Sequence, residues 1–154
     1  THRVLAKLEE IGKLDAIVTQ NIDGLHQLAG SKCVYEIHGT THKNYCASCG
    51  ERVGENYIFE TTGIPRCPKC GGMIRPPEDA VRGAVDAIRK ADTLIVAGTS
   101  LNVYPAASYV YEFRGDHLIV LNKEPLHVQL NQEKDLFIEA AMGQVFVALE
   151  DALF

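Results

Sequence analysis

Apolar positions along the chain change their period several times, and each change predicts an element. Val4, Leu5, Leu8 and Ile11 recur at helical spacing and Gly12 closes the run, so residues 1–12 read as a helix. Residues 15–19 (Asp-Ala-Ile-Val-Thr) form a short β-branched run that reads as a buried strand. Asn21-Ile-Asp-Gly24 breaks it, and Leu25 to Ala29 has room for one or two helical turns. Residues 33–37 (Cys-Val-Tyr-Glu-Ile) predict a second strand ending at His38-Gly39, and residues 56–59 (Asn-Tyr-Ile-Phe) a hairpin strand. After Pro76-Pro77, a helix is predicted over 78–91, with Ala80, Val81, Ala84, Val85 and Ile88 on one face. Residues 93–97 are apolar enough for a strand buried on both sides. Residues 104–114 read as a helix begun near Pro105, and 117–121 as another central strand. A short strand at 136–138 and a helix from Met142 to Phe154 complete the pattern.

Strands alternating with helices predict an α/β fold with a Rossmann-like, doubly wound parallel sheet. Residues 1–39 and 76–154 are assigned to it, and residues 40–75 to a small insert. The 154 residues fit one domain with that insertion, at 46% hydrophobic and 23% charged side chains. This composition is globular rather than disordered. A net charge of −5 argues against nucleic-acid binding, which needs clustered Lys and Arg. The longest apolar run falls well short of the roughly 20 residues of a membrane helix, so no membrane partner is expected. Thr1-His2-Arg3 leads into amphipathic sequence, not a signal peptide, and a cytoplasmic location is expected.

Cysteine spacing sharpens the insert. Cys46-x2-Cys49 and Cys67-x2-Cys70 are separated by seventeen residues, with Gly50 and Gly71-Gly72 directly after the pairs. Four thiolates from two such knuckles match the tetrahedral demand of Zn²⁺ in a zinc ribbon. A four-Cys site has no open position, so one structural zinc per chain is expected. Two disulfides are the competing arrangement, disfavoured without a secretion signal, and a four-Cys iron site is the other metal the chemistry allows. Cys33 stands apart as a buried filler at a strand start.

In parallel α/β sheets ligands collect outside the carboxyl ends of the strands, so the residues just past each strand are the candidates for chemistry. Gln20-Asn21-Ile22-Asp23-Gly24 follows the first strand, Gly98-Thr99-Ser100 the third and Asn122-Lys123 the fourth. Glycine with two hydroxyls ahead of a helix is a natural phosphate seat, although a plain tight turn reads equally well. Asn122 can hold a ribose hydroxyl. His38, at the end of the second strand, is a candidate proton acceptor, with a surface or core histidine as the alternative.

Taken in order, Thr19-Gln-Asn-Ile-Asp-Gly-Leu-His26, His38-Gly-Thr40, the two knuckles, Gly98-Thr-Ser-Leu-x-Val-x-Pro105-Ala-Ala and Leu118-Ile-Val-Leu-Asn122 resemble the sirtuins, the NAD-dependent protein-lysine deacylases. The resemblance covers nearly the whole chain. It implies that acyl-lysine attacks the nicotinamide ribose of NAD and expels nicotinamide. His38 would then act as general base on the ribose hydroxyls, giving free lysine and O-acyl-ADP-ribose. It further implies Asn21 and Asp23 at the nicotinamide and ribose, with Asn21 also in the catalytic set. Gln20 would bind that ribose, Gly98, Thr99 and Ser100 phosphate and ribose oxygens, and Asn122 the adenosine ribose. Lys123 and Glu124 read either as adenosine-side neighbours or as a solvated loop end, and His26 as structural. NAD and Zn²⁺ are the implied cofactors, and acylated protein lysines the implied partners.

Two departures accompany the resemblance. The Gly-Ala-Gly nucleotide loop that opens sirtuins and the Phe-Gly-Glu segment that pairs with the acyl-lysine peptide are both absent from these 154 residues. The chain is therefore expected to be the ordered part of a larger enzyme. Two other functions share the same residues. One is mono-ADP-ribosyl transfer to protein on the same NAD site. The other is a non-catalytic zinc-ribbon module with Lys43, Arg52, Arg66, Lys69 and Arg75 as a basic face. Glu51, Glu55 and Glu60 offset that charge, and solvated surface accounts for it better.

Overall fold

The computed structural model describes residues 1–40, 44–75, 79–102, 104, 106–126 and 128–154, apart from the side chains of Glu55 and Asp79. The expected helix start at Pro105, the Pro76-Pro77 junction and Lys43 lie outside the described residues.

Helix α1 (His2–Glu10) forms as its pattern implies, with Val4 and Leu8 buried one turn apart and Arg3, Lys7 and Glu10 on the outer side. It ends in a Schellman turn. The Lys13 amide donates to the Leu8 carbonyl at 2.8 Å and the Gly12 amide to the Glu9 carbonyl at 3.0 Å. Gly12 takes the left-handed φ of 69° that this turn requires. Strand β1 (Ile17–Thr19) leads through the short helix α2 (Leu25–Leu28) to β2 (Val34–Glu36), which pairs with β1 in parallel. Cys33 precedes β2 and is half-buried rather than buried, its amide donating to Glu9 at 2.7 Å.

The insert holds an antiparallel sheet with β3 (Asn44–Cys46) between β4 (Arg52–Val53) and β5 (Ile74–Arg75). Between β4 and β5 lies helix α3 (Glu55–Glu60), so the hairpin strand expected at 56–59 is corrected to a helix. Its aromatic and β-branched residues favour strands, but the helix is held from outside. The Tyr57 carbonyl accepts from the Thr61 hydroxyl at 2.6 Å, and the Tyr57 hydroxyl donates to the Arg66 carbonyl at 2.7 Å.

Helix α4 (Asp79–Lys90) returns the chain to a second parallel sheet of β6 (Thr93–Ala97), β7 (His117–Asn122) and β8 (Leu136–Glu139), with β7 in the middle. Helix α5 (Met142–Leu153) closes the chain. Strand β7 is buried on both faces. Leu118 and Val120 pack with Val96, Phe113 and Phe137, while Leu121 packs with Val4, Leu8 and Phe146. Each such buried side chain contributes about 2 kcal/mol, which ties α1 and α5 to the sheet. Two expectations change here. Residues 93–97 are not buried on both sides, because among the described residues β6 is an edge strand with Thr93 and Ile95 exposed. The helix expected over 104–114 is a 3₁₀ helix spanning Ala106–Glu112. No helix among the described residues is long and apolar enough to cross a membrane.

Candidate functional site

Parallel pairing sends the carboxyl ends of β6, β7 and β8 to one edge. There the Gly98 amide donates to the Leu121 carbonyl and the Ala140 amide to the Asn122 carbonyl, both at 3.0 Å. This edge opens into a cavity of about 610 Å³ whose wall includes Gly98, Thr99, Ser100 and Asn122. All four are strand-end residues that the sequence singles out. Gly98 suits its left-handed φ of 60°, while a Cβ there would sit 3.3 Å from the flexible end of Met142, a contact that side chain can relieve. The Thr99 hydroxyl accepts from the Leu101 amide at 3.2 Å, and the Ser100 hydroxyl from the Asn102 amide at 3.4 Å. These hydroxyls therefore cap amides of their own turn rather than the amino end of a helix, since the 3₁₀ helix begins only at Ala106. Among the described residues neither hydroxyl is bonded as a donor, and each has an O–H hydrogen to give. Leu101 has a φ of 53°, a strained value for a bulky side chain, stored at the cavity wall. Asn122 donates from Nδ2 to the Glu124 carbonyl at 3.0 Å, which fixes its side chain there.

Among the described residues, the loop after β1 meets this cavity through the Gln20 side chain. Gln20 Nε2 donates to Thr99 Oγ1 at 3.4 Å. The Asn21 amide donates back to Thr19 Oγ1 at 3.1 Å and the Leu25 amide to Asp23 Oδ1 at 3.0 Å. Asn21 and Asp23 are exposed and do not line the cavity. His38 is also exposed, in a turn closed by the Gly39 amide on the Glu36 carbonyl at 3.0 Å, and it too stands outside the cavity. Ala140, Met142, Tyr104, Tyr111 and Leu126 line the cavity without having been expected there. The strand-end reading extended to β8 would have found Ala140 and Met142; nothing in the pattern marks the two tyrosines.

The four cysteines form a second site. Their sulfurs all lie within 4.8 Å of one another, with Cys46–Cys70 at 3.4 Å and Cys49–Cys67 at 3.7 Å. A tetrahedron of sulfurs about 2.3 Å from Zn²⁺ has edges of about 3.8 Å, so the set fits. The two knuckles repeat one geometry. Gly50 and Gly71 donate to the Cys46 and Cys67 carbonyls at 2.9 Å, and Ser48 and Lys69 amides point at the Cys46 and Cys67 sulfurs at 3.4 Å. Both glycines have left-handed φ, 71° and 72°. Burial pushes the Cys46 thiol up, yet the Cys49 and Ser48 amides and the Cys70 and Cys49 thiols bring it down to about 6. For Cys70, the Gly72 amide lowers the pKa, but the Cys49 and Cys46 thiols push it up to about 12. Four crowded thiols cannot all ionise unaided; a divalent cation removes that conflict.

A family model described as the Sir2 family matches residues 1–105. The chain belongs to the Sir2 family. The NAD-dependent protein deacetylase of Clostridium perfringens is 51% identical, over 94% of this chain and 62% of that protein. That of Cutibacterium acnes is 45% identical, over 99% of this chain and 65% of that protein. A solved structure of Sir2 bound to acetylated peptide has a TM-score of 0.80 at 34% identity, over 98% of this chain and 68% of that one. A Sir2–p53 peptide–NAD⁺ structure has a TM-score of 0.79 at the same identity, over 98% of this chain and 68% of that one. This Sir2-family chain thus spans a little over three-fifths of the length of these curated relatives. The Sir2 match takes in the 19–24 loop, both knuckles and Gly98–Ser100.

Proposed function

We propose that these residues belong to an NAD-dependent protein-lysine deacylase that cleaves NAD to nicotinamide and passes the acyl group from lysine to ADP-ribose. The observation that carries this reading is the convergence of strand ends: Gln20 reaches Thr99 on the wall of a cavity also lined by Gly98, Ser100 and Asn122. Hydroxyl donors and a wall amide suit the phosphate and ribose oxygens of a dinucleotide. Gln20 would bind the nicotinamide ribose, Asp23 would accept from the carboxamide NH₂, and Asn21 would hold a ribose hydroxyl or water. His38, exposed at the end of the second strand, would take the proton from the ribose hydroxyls. Extended acyl-lysine segments of proteins are the partners this reading assigns.

Residues 1–39 and 76–154 would form the NAD-binding part, and residues 40–75 a zinc-ribbon module whose closed four-thiolate site leaves zinc no catalytic role. Reduced thiols in that module suit the cytoplasm. The decisive experiment measures nicotinamide release from NAD, with and without an acetyl-lysine peptide, in the full-length protein and in His38→Ala. Peptide-dependent release that is lost in His38→Ala is expected. Release that survives the substitution overturns the assigned base. Peptide-independent labelling of protein by ADP-ribose would favour a transferase instead.

A further inference from the structure

Helix α2 has only four residues, too few to stand by its own hydrogen bonds, and it directly follows the 21–24 loop. Its buried residue is His26, 9% exposed. The His26 ring meets the ring of His2, on α1, edge to face, with centroids 4.6 Å apart and planes at 68°. His26 Nδ1 is out of solvent and has no hydrogen-bond partner. A neutral imidazole bears that at about 1–3 kcal/mol. An imidazolium there would bury a charge and a further N–H with no acceptor, beside a second histidine.

Among the described residues, two titratable groups face the ring, His2 from α1 and Asp23 from the loop ahead of α2. Burial and the His2 charge lower the His26 pKa from 6.5, and Asp23 opposes them. Glu9, the acid farther along α1, is instead bonded to the Lys32 and Cys33 amides at 2.7–3.1 Å. Between β1 and α2 little slack remains, because Asn21, Leu25 and Leu28 amides are bonded to Thr19 Oγ1, Asp23 Oδ1 and the Gly24 carbonyl. A shift of α2 is therefore carried into Asn21–Gly24.

We propose that His2 and His26 are a positioning pair that docks α2 on α1 and holds the 21–24 loop in place only while the His26 ring is neutral. The pair touches no reacting atom. The docking is complete above the ordinary imidazole value of 6.5 and is lost as the pH falls through the lower His26 value. Its consequence for catalysis rests on the reading of Asn21 and Asp23 as NAD-pocket residues.

The test is an NMR titration of the labelled full-length protein without NAD, from about pH 8 to about pH 5, the range in which imidazoles titrate. The His26 ring and the Ile22, Asp23 and Gly24 amides are followed together. The amides are expected to shift with the His26 midpoint, below 6.5. His2→Phe keeps an aromatic partner but removes its charge, so the His26 midpoint and the amide transition should both move up. His26→Phe should abolish that transition; if this variant fails to fold, His2→Phe carries the test alone. Amides indifferent to the His26 midpoint, or a transition unmoved in His2→Phe, overturn the proposal. The KM for NAD should rise several-fold in acid with the same midpoint, kcat changing less. A protein that releases no nicotinamide would sink the NAD reading, while the amide titration would still decide for or against the pair.

Discussion

The Gln20 side-chain amide donates to the Thr99 hydroxyl across 3.4 Å and so joins the carboxyl ends of two parallel sheets. Among the described residues, β1–β2 and β6–β7–β8 share no ladder hydrogen bond. The same Thr99 oxygen also accepts from the Leu101 amide at 3.2 Å, where the backbone is strained. Thr99→Val keeps the shape and removes the acceptor from both donors. The expected loss is about 1 kcal/mol of stability, read as a lower urea midpoint with an unchanged slope. NAD affinity should fall at least several-fold, while Thr99→Ser retains most of both. A Thr99→Val protein with wild-type midpoint and affinity would show that this contact joins nothing of consequence.

How much of this was legible beforehand depends on the range of the interactions involved. The Gly12 helix stop and both knuckles are set by neighbours within a few positions. Gly98, Thr99, Ser100 and Asn122 are marked by their place just past a strand, although β6–β7 pairing is what brings them to one cavity. Residues 56–59 misled because local β preference was overridden by bonds to Thr61 and Arg66, the second made by a loop that pattern cannot place. Strand β6 misled in another way. Its apolar run suits a central strand, but burial depends on what pairs with each edge, and only β7 pairs with it among the described residues. Tyr111 reaches the cavity from a 3₁₀ helix that no periodicity distinguishes from an α-helix, and Tyr104 from a turn outside that helix.

The thiolate centre should bind one zinc per chain, and its removal should unfold the insert first. Structural zinc contributes on the order of 10 kcal/mol to small modules, far more than the short ladders between β3, β4 and β5 supply. Strong chelation, or Cys67→Ser, is expected to abolish amide protection across residues 44–75 while β7 stays protected. Metal analysis and hydrogen exchange measure both halves. Retained protection of Tyr45 and Cys46 after complete zinc loss would contradict a folding role for the metal.

Gly83 sits inside α4 where helix propensity would favour alanine by about 1 kcal/mol. Packing reverses the sign. A Cβ at Gly83 would lie 2.3 Å from Tyr35 Cε1 and 3.0 Å from its Cδ1, so the ring that seats α4 on β2 would have to move. Gly83→Ala should lower stability by about 1–3 kcal/mol, the usual range for overpacking. Pairing it with Tyr35→Leu should recover part of the loss, since the clash is with the ring. A thermal midpoint that rises in the single variant would mean that the Tyr35 ring yields without strain.

Asp135 holds two chain segments at once, with Oδ1 accepting from the Leu118 amide at 2.9 Å and Oδ2 from the Asn131 amide at 2.8 Å. The Asn131 amide first, and then the Leu118 amide, hold its carboxyl below the ordinary value of 3.8. The folded chain therefore takes up this proton at lower pH than the unfolded chain does. Its contribution to stability is complete above 3.8 and disappears as the pH falls through the lower folded value. Asp135→Asn replaces one acceptor oxygen with a donor, which leaves one of the two amides without its partner at every pH. The variant should be less stable at neutral pH and lose less on acidification, so the two stability curves converge in acid. Urea midpoints measured from about pH 7 down to about pH 2 trace that convergence, and curves that run parallel would place the acid sensitivity on other carboxylates.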